Sequence, residues 1–393
     1  MAAHASSLRH VLVVGGSIAG LSAVGELRQK GYDGRITVLE RDLFAPIRTP
    51  ELSKKILTGA LSLEQIRLNW NPAFDVEFIK GSSTALDLST RSVQANIEGS
   101  EERLTFDGLV IATGADARGR ADYSVSPNMH VIRRASDAIA IREQLANAST
   151  VSVVGAGFLG LEVAASCLSL GKRVFLIEFG NSIFSGRFGK KFEQAVLDLY
   201  AESSVETLFG QTPHIIGPSE LALTPSGRTI KSDLVVWCVG AKPEIAWLEG
   251  SGLLLKDGLV CDEMLRPPAT TMVVAAGDIV RAPNLLYGTL MRVEHWTNAI
   301  DQGRAAARSL LGVGSCTNDA VPYVWSNIFG RKIEIVGTSL GANRREFVSQ
   351  EEAGWVGERH FVGARLIGVA GIAPLGDPGL FPRMRHQLAQ SVC

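Results

Sequence analysis

The sequence predicts an α/β protein with two parallel-sheet units and a smaller α+β domain toward its C-terminal end. Three observations predict it. An apolar run at Val11–Val14 meets a glycine-rich turn, Gly15-Gly16-Ser17-Ile18-Ala19-Gly20, then a helical pattern through Lys30 and a second apolar run, Ile36–Leu39, closed by Glu40. The same order recurs at Val151–Val154, with Gly155-Ala156-Gly157-Phe158-Leu159-Gly160, a helix through about Leu170, and Val174–Ile177 closed by Glu178. After Gly312 the texture changes to alternating segments. Short continuous apolar strands flanking a helix suit a parallel sheet buried on both faces.

The elements follow in order. Asp75–Lys80, Ser92–Asn96 and Arg103–Phe106 alternate in polarity and are expected to be short antiparallel strands. Leu109–Thr113 is an apolar strand ending in Gly114, and Leu234–Val239, ending in Gly240, is its counterpart in the second half. Met272–Ala276 leads into Gly277-Asp278. Tyr323–Phe329, Ile333–Thr338, Trp355–Gly357 and Leu366–Ile372 are expected strands of the last domain, after a linker at Gly312–Ala320 rich in Gly, Ser, Asn and Asp. The expected division is 1–114 with 241–316 as one domain, 115–240 as the second, and 317–393 as the last.

Composition agrees with this size. A chain of 393 residues, 46% hydrophobic and 20% charged, allows two or three domains of roughly 150 residues with buried cores. Lys plus Arg (39) nearly balances Asp plus Glu (40), giving a net charge of -1 and no whole-molecule basic field for nucleic acid. No apolar stretch of roughly 18 residues predicts a membrane span. The N-terminal residues lack a basic, apolar and small-residue leader pattern, so a cytoplasmic protein is expected. Cys167, Cys238, Cys261, Cys316 and Cys393 are scattered without a Cys-x-x-Cys or Cys/His grouping. Reduced thiols are therefore expected, with neither a metal site nor a redox dithiol.

The glycine turns carry the chemistry. Such a turn brings backbone N–H groups close to a pyrophosphate, and the helix behind it adds partial positive charge. An acid about 20 residues beyond the turn accepts hydrogen bonds from a ribose, and Glu40 and Glu178 both stand there. Either acid alone could be a solvated strand end; two in register point to two dinucleotides. Ser17 replaces the middle glycine of the first turn. Glu178 would repel a 2′-phosphate, and Phe179-Gly180 bring no arginine to hold one, so NADH is expected over NADPH.

The chain resembles the oxygenase-coupled NADH–ferredoxin reductases, the putidaredoxin-reductase-like branch of the two-dinucleotide-domain flavoproteins. Beyond the two turns, the likeness rests on Leu52-Ser53-Lys54, Ile111-Ala112-Thr113-Gly114, Leu161-Glu162, Ala276-Gly277-Asp278, Glu294-His295-Trp296-Thr297-Asn298-Ala299 and Tyr323-Val324-Trp325-Ser326, in the family's order. It implies two Rossmann-like domains of glutathione-reductase-like architecture plus a small C-terminal α+β domain. The first turn would hold the ADP half of FAD and the second NAD(H).

The cofactor-binding set so implied is Gly15, Ser17, Ile18, Ala19, Gly20, Glu40, Arg41, Arg48, Lys54, Ala112, Thr113, Gly114, Gly155, Gly157, Phe158, Leu159, Gly160, Glu162, Glu178, Gly240, Gly277, Asp278, Glu294, His295 and Trp296. Lys54 would stand beside the flavin, paired with Glu162, as the catalytic pair. A fixed cation there stabilises charge developing on reduced flavin. Asp278 would bind the ribityl chain, with the N-terminus of a following helix near the flavin pyrophosphate. Each residue also has a plain structural role open to it: Lys54 a surface lysine, Glu162 an acid at a helix N-terminus, Asp278 a helix N-cap, Trp296 and Trp325 seam aromatics.

The resemblance implies that single electrons pass from reduced FAD to a [2Fe-2S] ferredoxin serving an oxygenase or P450. Arg331, Lys332, Arg344 and Arg345 are candidates for a basic docking patch, or for an ordinary solvated face. Rubredoxin, monodehydroascorbate or oxygen are alternative acceptors, and a redox sensor resembling apoptosis-inducing factor is an alternative role. Two departures bear on the partner. Arg48-Thr49-Pro50-Glu51-Leu52-Ser53-Lys54 is one residue longer than the family's Arg-Pro-Pro-Leu-Ser-Lys, and Trp325-Ser326-Asn327-Ile328 replaces Trp-Ser-Asp-Gln.

Overall fold

A computed structural model describes residues 8–377 apart from 43, 124, 125, 202, 269, 315–317, 319 and 351–353, together with 382–384 and 387–388. Cys316 and Cys393, and most of the expected linker's centre, lie outside the described residues. The chain divides into two compact units. The first comprises Met1–Arg48, Arg67–Asp116 and Lys242–Pro322; the second comprises Thr49–Ile66, Ala117–Ala241 and Tyr323–Cys393.

In the first unit His10–Val14 lies at the centre of a five-stranded parallel sheet. Its order is Val273–Ala275, Gly108–Ile111, His10–Val14, Arg35–Glu40, Val76–Lys80. Val11, Leu12 and Val13 are fully buried, as expected of a central strand covered on both faces. The helices Ile18–Gln29 and Trp296–Leu311 cross closely because Gly303 has no side chain: a Cβ there would lie 2.4 Å from the Ala19 carbonyl oxygen. Val76–Lys80 corrects the sequence expectation. It is not antiparallel but the parallel edge of this sheet, with Ile36 opposite Val76. The antiparallel sheet beside it is formed by Ser82–Asp87, which the sequence pattern did not show, with Ser92–Ile97 and Ser100–Thr105.

The second unit repeats the plan. Its parallel sheet runs Val205–Phe209, Arg173–Glu178, Thr150–Val154, Leu234–Trp237, Met129–Val131. A three-stranded antiparallel sheet, Thr212–Gly217, Glu220–Thr224 and Thr229–Lys231, again precedes the last apolar strand. The C-terminal part of this unit is a five-stranded antiparallel sheet ordered Tyr323–Ile328, Arg331–Gly337, Arg365–Pro374, Trp355–Val362, Arg344–Gln350. Its last strand, Arg344–Gln350, is charged along most of its first half and lacked a clear apolar alternation. Among the described residues no helix is long and apolar enough to cross a membrane.

Candidate functional site

The two glycine turns fold identically. Gly15 adopts φ +104° and Gly155 φ +102°, and each donates its N–H to the carbonyl of the neighbouring strand, Leu39 at 2.9 Å and Ile177 at 2.7 Å. A Cβ at Gly15 would lie 2.2 Å from the Ala112 oxygen, and one at Gly155 2.4 Å from the Cys238 oxygen. At Gly20 and Gly160 a Cβ would meet the turn's own carbonyl, at 2.0 and 1.8 Å. Only glycine fits these four positions, Gly15 and Gly155 through backbone conformation and contact together, Gly20 and Gly160 through contact.

The middle position differs. Ser17 and Gly157 have the same backbone, φ -78° with ψ -161° and -175°, and a Cβ at Gly157 would meet nothing within 4 Å. Serine is therefore accommodated without strain. Neither Ser17 nor Gly157 places a side-chain cap on its 12-residue helix, so the first-turn N–H groups keep their capacity for a phosphate. Both turns thus fit a dinucleotide pyrophosphate.

The closing acids are built alike. Glu40 accepts the Gly16 N–H at 2.6 Å and the Asp42 N–H at 2.7 Å, one on each oxygen. Glu178 accepts the Ala156 N–H at 2.7 Å and the Gly180 N–H at 2.8 Å, with the Ser185 hydroxyl at 3.3 Å. Backbone donors from both sides lock each carboxylate over its turn. Burial holds the Glu40 carboxyl above its usual range, against the opposing pull of the Asp42 and Gly16 N–H groups.

Around the first turn, Thr113 donates its hydroxyl to the Glu244 carbonyl (3.0 Å), Glu244 donates its N–H to Gly114 O (3.0 Å), and Arg41 pairs with the Glu244 carboxylate at 3.0 Å. Glu244 carried no sequence signal. Gly277, at φ +83°, donates its N–H to Gln302 Oε1 at 3.0 Å, which brings Asp278 under the helix bearing Trp296. No helix starts at Asp278, so it is not a helix N-cap. The Val280 N–H closes a turn on Gly277 O, and Val280–Asn284 continues as a strand paired with Leu259–Val260 and Thr289–Met291. Pro283 within that stretch is itself unfavourable to a helix interior. The next helix begins at Trp296, with His295 as its N-cap. Glu294 is exposed and ion-paired with Arg292, while Arg48 is exposed on the first unit.

In the second unit Lys54 and Glu162 meet: Lys54 Nζ lies 2.6 Å from Glu162 Oε1 and also donates to the Pro50 carbonyl at 2.9 Å. Lys54 sits in a π-helical turn, Leu52–Ile56, and Glu162 in the first turns of the helix Phe158–Ser169. Ser53 adds a bond the sequence did not suggest, donating its hydroxyl to Glu162 Oε2 at 2.5 Å. Gly240 takes φ +97° at the end of the last apolar strand.

A loop after Glu178 ties this turn to the C-terminal sheet. Phe184 and Ser185 both adopt left-handed φ, at 54° and 53°, and the Phe158, Phe184 and Phe188 rings follow one another at centroid separations of 4.8 and 5.2 Å. Gly189 then donates its N–H to both Glu358 oxygens at 3.0 Å, and buried His360 shares Glu358 at 2.8 Å. Cys167, Cys238 and Cys261 are buried free thiols. Burial pushes Cys167 up to about 12 and the other two higher still, so none is a poised thiolate. No metal-binding cluster is present among the described residues.

A family model for pyridine nucleotide-disulphide oxidoreductases matches residues 9–303, and the chain belongs to that family. The family implies FAD and NAD(H). A rhodocoxin reductase from Rhodococcus erythropolis is 29% identical, with 92% of this chain and 86% of the relative covered. A rubredoxin-NAD(+) reductase from Pseudomonas putida is 28% identical over 83% of this chain and 86% of its own length. Among solved structures, the ferredoxin reductase of the CYP199A2 system from Rhodopseudomonas palustris superposes with a TM-score of 0.86 at 25% identity, covering 93% of this chain and 91% of that one. The protein is an oxidoreductase of this family, with two Rossmann-like sheets and a C-terminal antiparallel sheet.

Proposed function

We propose that this protein is an NADH-dependent ferredoxin reductase. One observation carries it: the chain builds the same turn and locked acid twice and adds a buried cation–carboxylate pair, Lys54 and Glu162. Bound FAD would accept hydride from NADH as an electron pair and release electrons singly to an iron–sulfur acceptor. Gly15, Gly20 and Glu40 would hold the ADP half of FAD, with Asp278 on its ribityl chain, and Gly155, Gly160 and Glu178 the ADP half of NADH. Lys54 would place positive charge where reduced flavin gathers negative charge, and Glu162 would fix Lys54. The buried, protonated thiols leave no dithiol relay among the described residues.

The acceptor class rests on the relatives, whose names include a rhodocoxin reductase, a rubredoxin reductase and a P450-system ferredoxin reductase. A [2Fe-2S] ferredoxin feeding an oxygenase or P450 is the acceptor proposed here. Stopped-flow mixing with NADH should bleach the flavin rapidly, and cytochrome c should then be reduced only when a ferredoxin is added. A panel of [2Fe-2S] ferredoxins and rubredoxins separates the acceptors. Slow bleaching with a long-lived charge-transfer band, and no ferredoxin stimulation, would instead point to a sensor.

A further inference from the structure

We propose that Ser53 is a positioning residue for the flavin chemistry: it shares Glu162 with Lys54 and so sets how much of the lysine's charge is left for the reduced flavin. The proposal rests on the reductase function above.

Ser53 is 2% exposed, and its hydroxyl donates to Glu162 Oε2 at 2.5 Å while Lys54 Nζ holds Oε1 at 2.6 Å. Neighbouring residues of an α-helix point about 100° apart, because a turn takes 3.6 residues, yet here two of them reach one carboxylate. The turn that carries them, Leu52–Ile56, is π-helical. A π turn closes over one residue more than an α turn, which changes the angle between neighbouring side chains. The helix Phe158–Ser169 fixes Ser53 a second time: the Ser166 hydroxyl donates to the Ser53 carbonyl at 2.7 Å. Glu162 and Ser166 are four apart, on one helix face. Ser53 is thus gripped at its hydroxyl and at its carbonyl.

Among the described residues, the hydrogen bonds and ion pairs of the Glu162 carboxylate come from Lys54 and Ser53. The other ionisable groups that feel its charge are Tyr200, whose hydroxyl already donates to Leu161 O at 2.7 Å, and the Cys238 thiol. Without the serine hydroxyl, Oε2 would be a buried charged acceptor lacking a donor, which is expensive. The carboxylate relieves this by turning both oxygens onto Lys54. Lys54 is then neutralised more completely and stabilises less of the charge that gathers on reduced flavin.

The test uses the FAD-loaded protein and two readouts. In Ser53→Ala the flavin midpoint potential, titrated with dithionite, should move to more negative values, and bleaching by NADH should slow about tenfold with FAD still bound. Ser53→Thr keeps a hydroxyl and should restore both, and Ser53→Cys, a weak donor, should fall between. In a Glu162→Gln background the same alanine change should move neither. Wild-type potential and bleaching in Ser53→Ala, or a threonine variant that behaves like alanine, overturns the proposal. Should Ser53→Ala not fold, the order of Thr and Cys decides. If NADH fails to bleach even the wild type, the reductase function falls, while the dithionite titration still decides Ser53.

Discussion

At the scale of single residues, the two closing acids make separate claims. Glu178 accepts the Ala156 N–H of its turn and the Gly180 N–H beyond it, so replacing it changes the turn as well as the proposed ribose contact. Glu178→Arg should lower kcat/KM for NADH at least tenfold and raise the NADPH/NADH ratio by a similar factor, each tenfold being about 1.4 kcal/mol. An unchanged ratio in steady-state assays removes Glu178 from the ribose. Glu40 carries a pH dependence. Its carboxyl is raised by burial, so the folded state binds that proton more tightly than the unfolded chain. Its contribution to stability is therefore full below the ordinary glutamate range and is lost as pH rises through the raised value. In urea unfolding of the FAD-free protein, wild type should lose stability relative to Glu40→Gln across that window, and a pH-independent difference would contradict the burial argument. Both acids were legible in the sequence because the motif fixes their distance from the turn. Ser53, Glu244 and Gln302 were not. A serine, an acid or an amide has no periodic signature, and their partners Glu162, Arg41 and Gly277 are distant in sequence.

At the scale of elements, legibility followed burial. Strands such as Val11–Val14 and Val151–Val154, buried on both faces, stand out as apolar runs, whereas Ser82–Asp87 and Arg344–Gln350 are half polar and carry no such signal. Val76–Lys80 has largely exposed side chains, so its alternation suggested an antiparallel strand, but its edge position in a parallel sheet produces the same pattern. The π turn at Leu52–Ile56 is equally hidden, since propensity does not distinguish π from α. The loop after Glu178 gives an element-level prediction. A Cβ at Gly189 would lie 2.1 Å from Glu358 Oε2, so Gly189→Ala should push the Glu358 carboxylate away and loosen its hold on the loop, at a cost of about 1–3 kcal/mol. Ser185, in the same loop, touches Glu178. The KM for NADH should rise several-fold while flavin content stays at wild type, read by steady-state kinetics and the flavin absorbance of purified protein. A wild-type KM would uncouple the loop from the NADH turn.

For the whole molecule, charge decides how an acceptor would be met. The net charge is -1, which supplies no long-range attraction for an acidic ferredoxin. A local patch was expected from Arg331, Lys332, Arg344 and Arg345, but the sheet separates and occupies them. The strands Arg331–Gly337 and Arg344–Gln350 are not neighbours, since Arg365–Pro374 and Trp355–Val362 lie between them, roughly 14 Å at the usual strand spacing. Arg331 donates to Gly354 O, Lys332 pairs with buried Glu334 at 2.7 Å, Arg344 pairs with Glu346 and lies 3.9 Å over the Phe361 ring, and Arg345 donates to Arg187 O at 3.0 Å. Glu334, Glu346 and Glu358 (3.9 Å from Arg345) offset Lys332, Arg344 and Arg345, and Arg331, bonded to a carbonyl, keeps its charge on a separate strand, so these four do not form one docking field. Encounter with an acidic partner should then be governed by short-range fit. The Debye length shrinks from about 10 Å at 0.1 M salt toward about 3 Å at 1 M, which erases steering where steering exists. The kcat/KM for ferredoxin should accordingly change less than about threefold between 50 and 300 mM salt. Neutralising Arg344 and Arg345 together should leave that slope unaltered. A fall of tenfold or more over the same range would mean that other cations of this chain gather into a patch, and charge-neutralising substitutions elsewhere on the chain that flatten the slope would locate it.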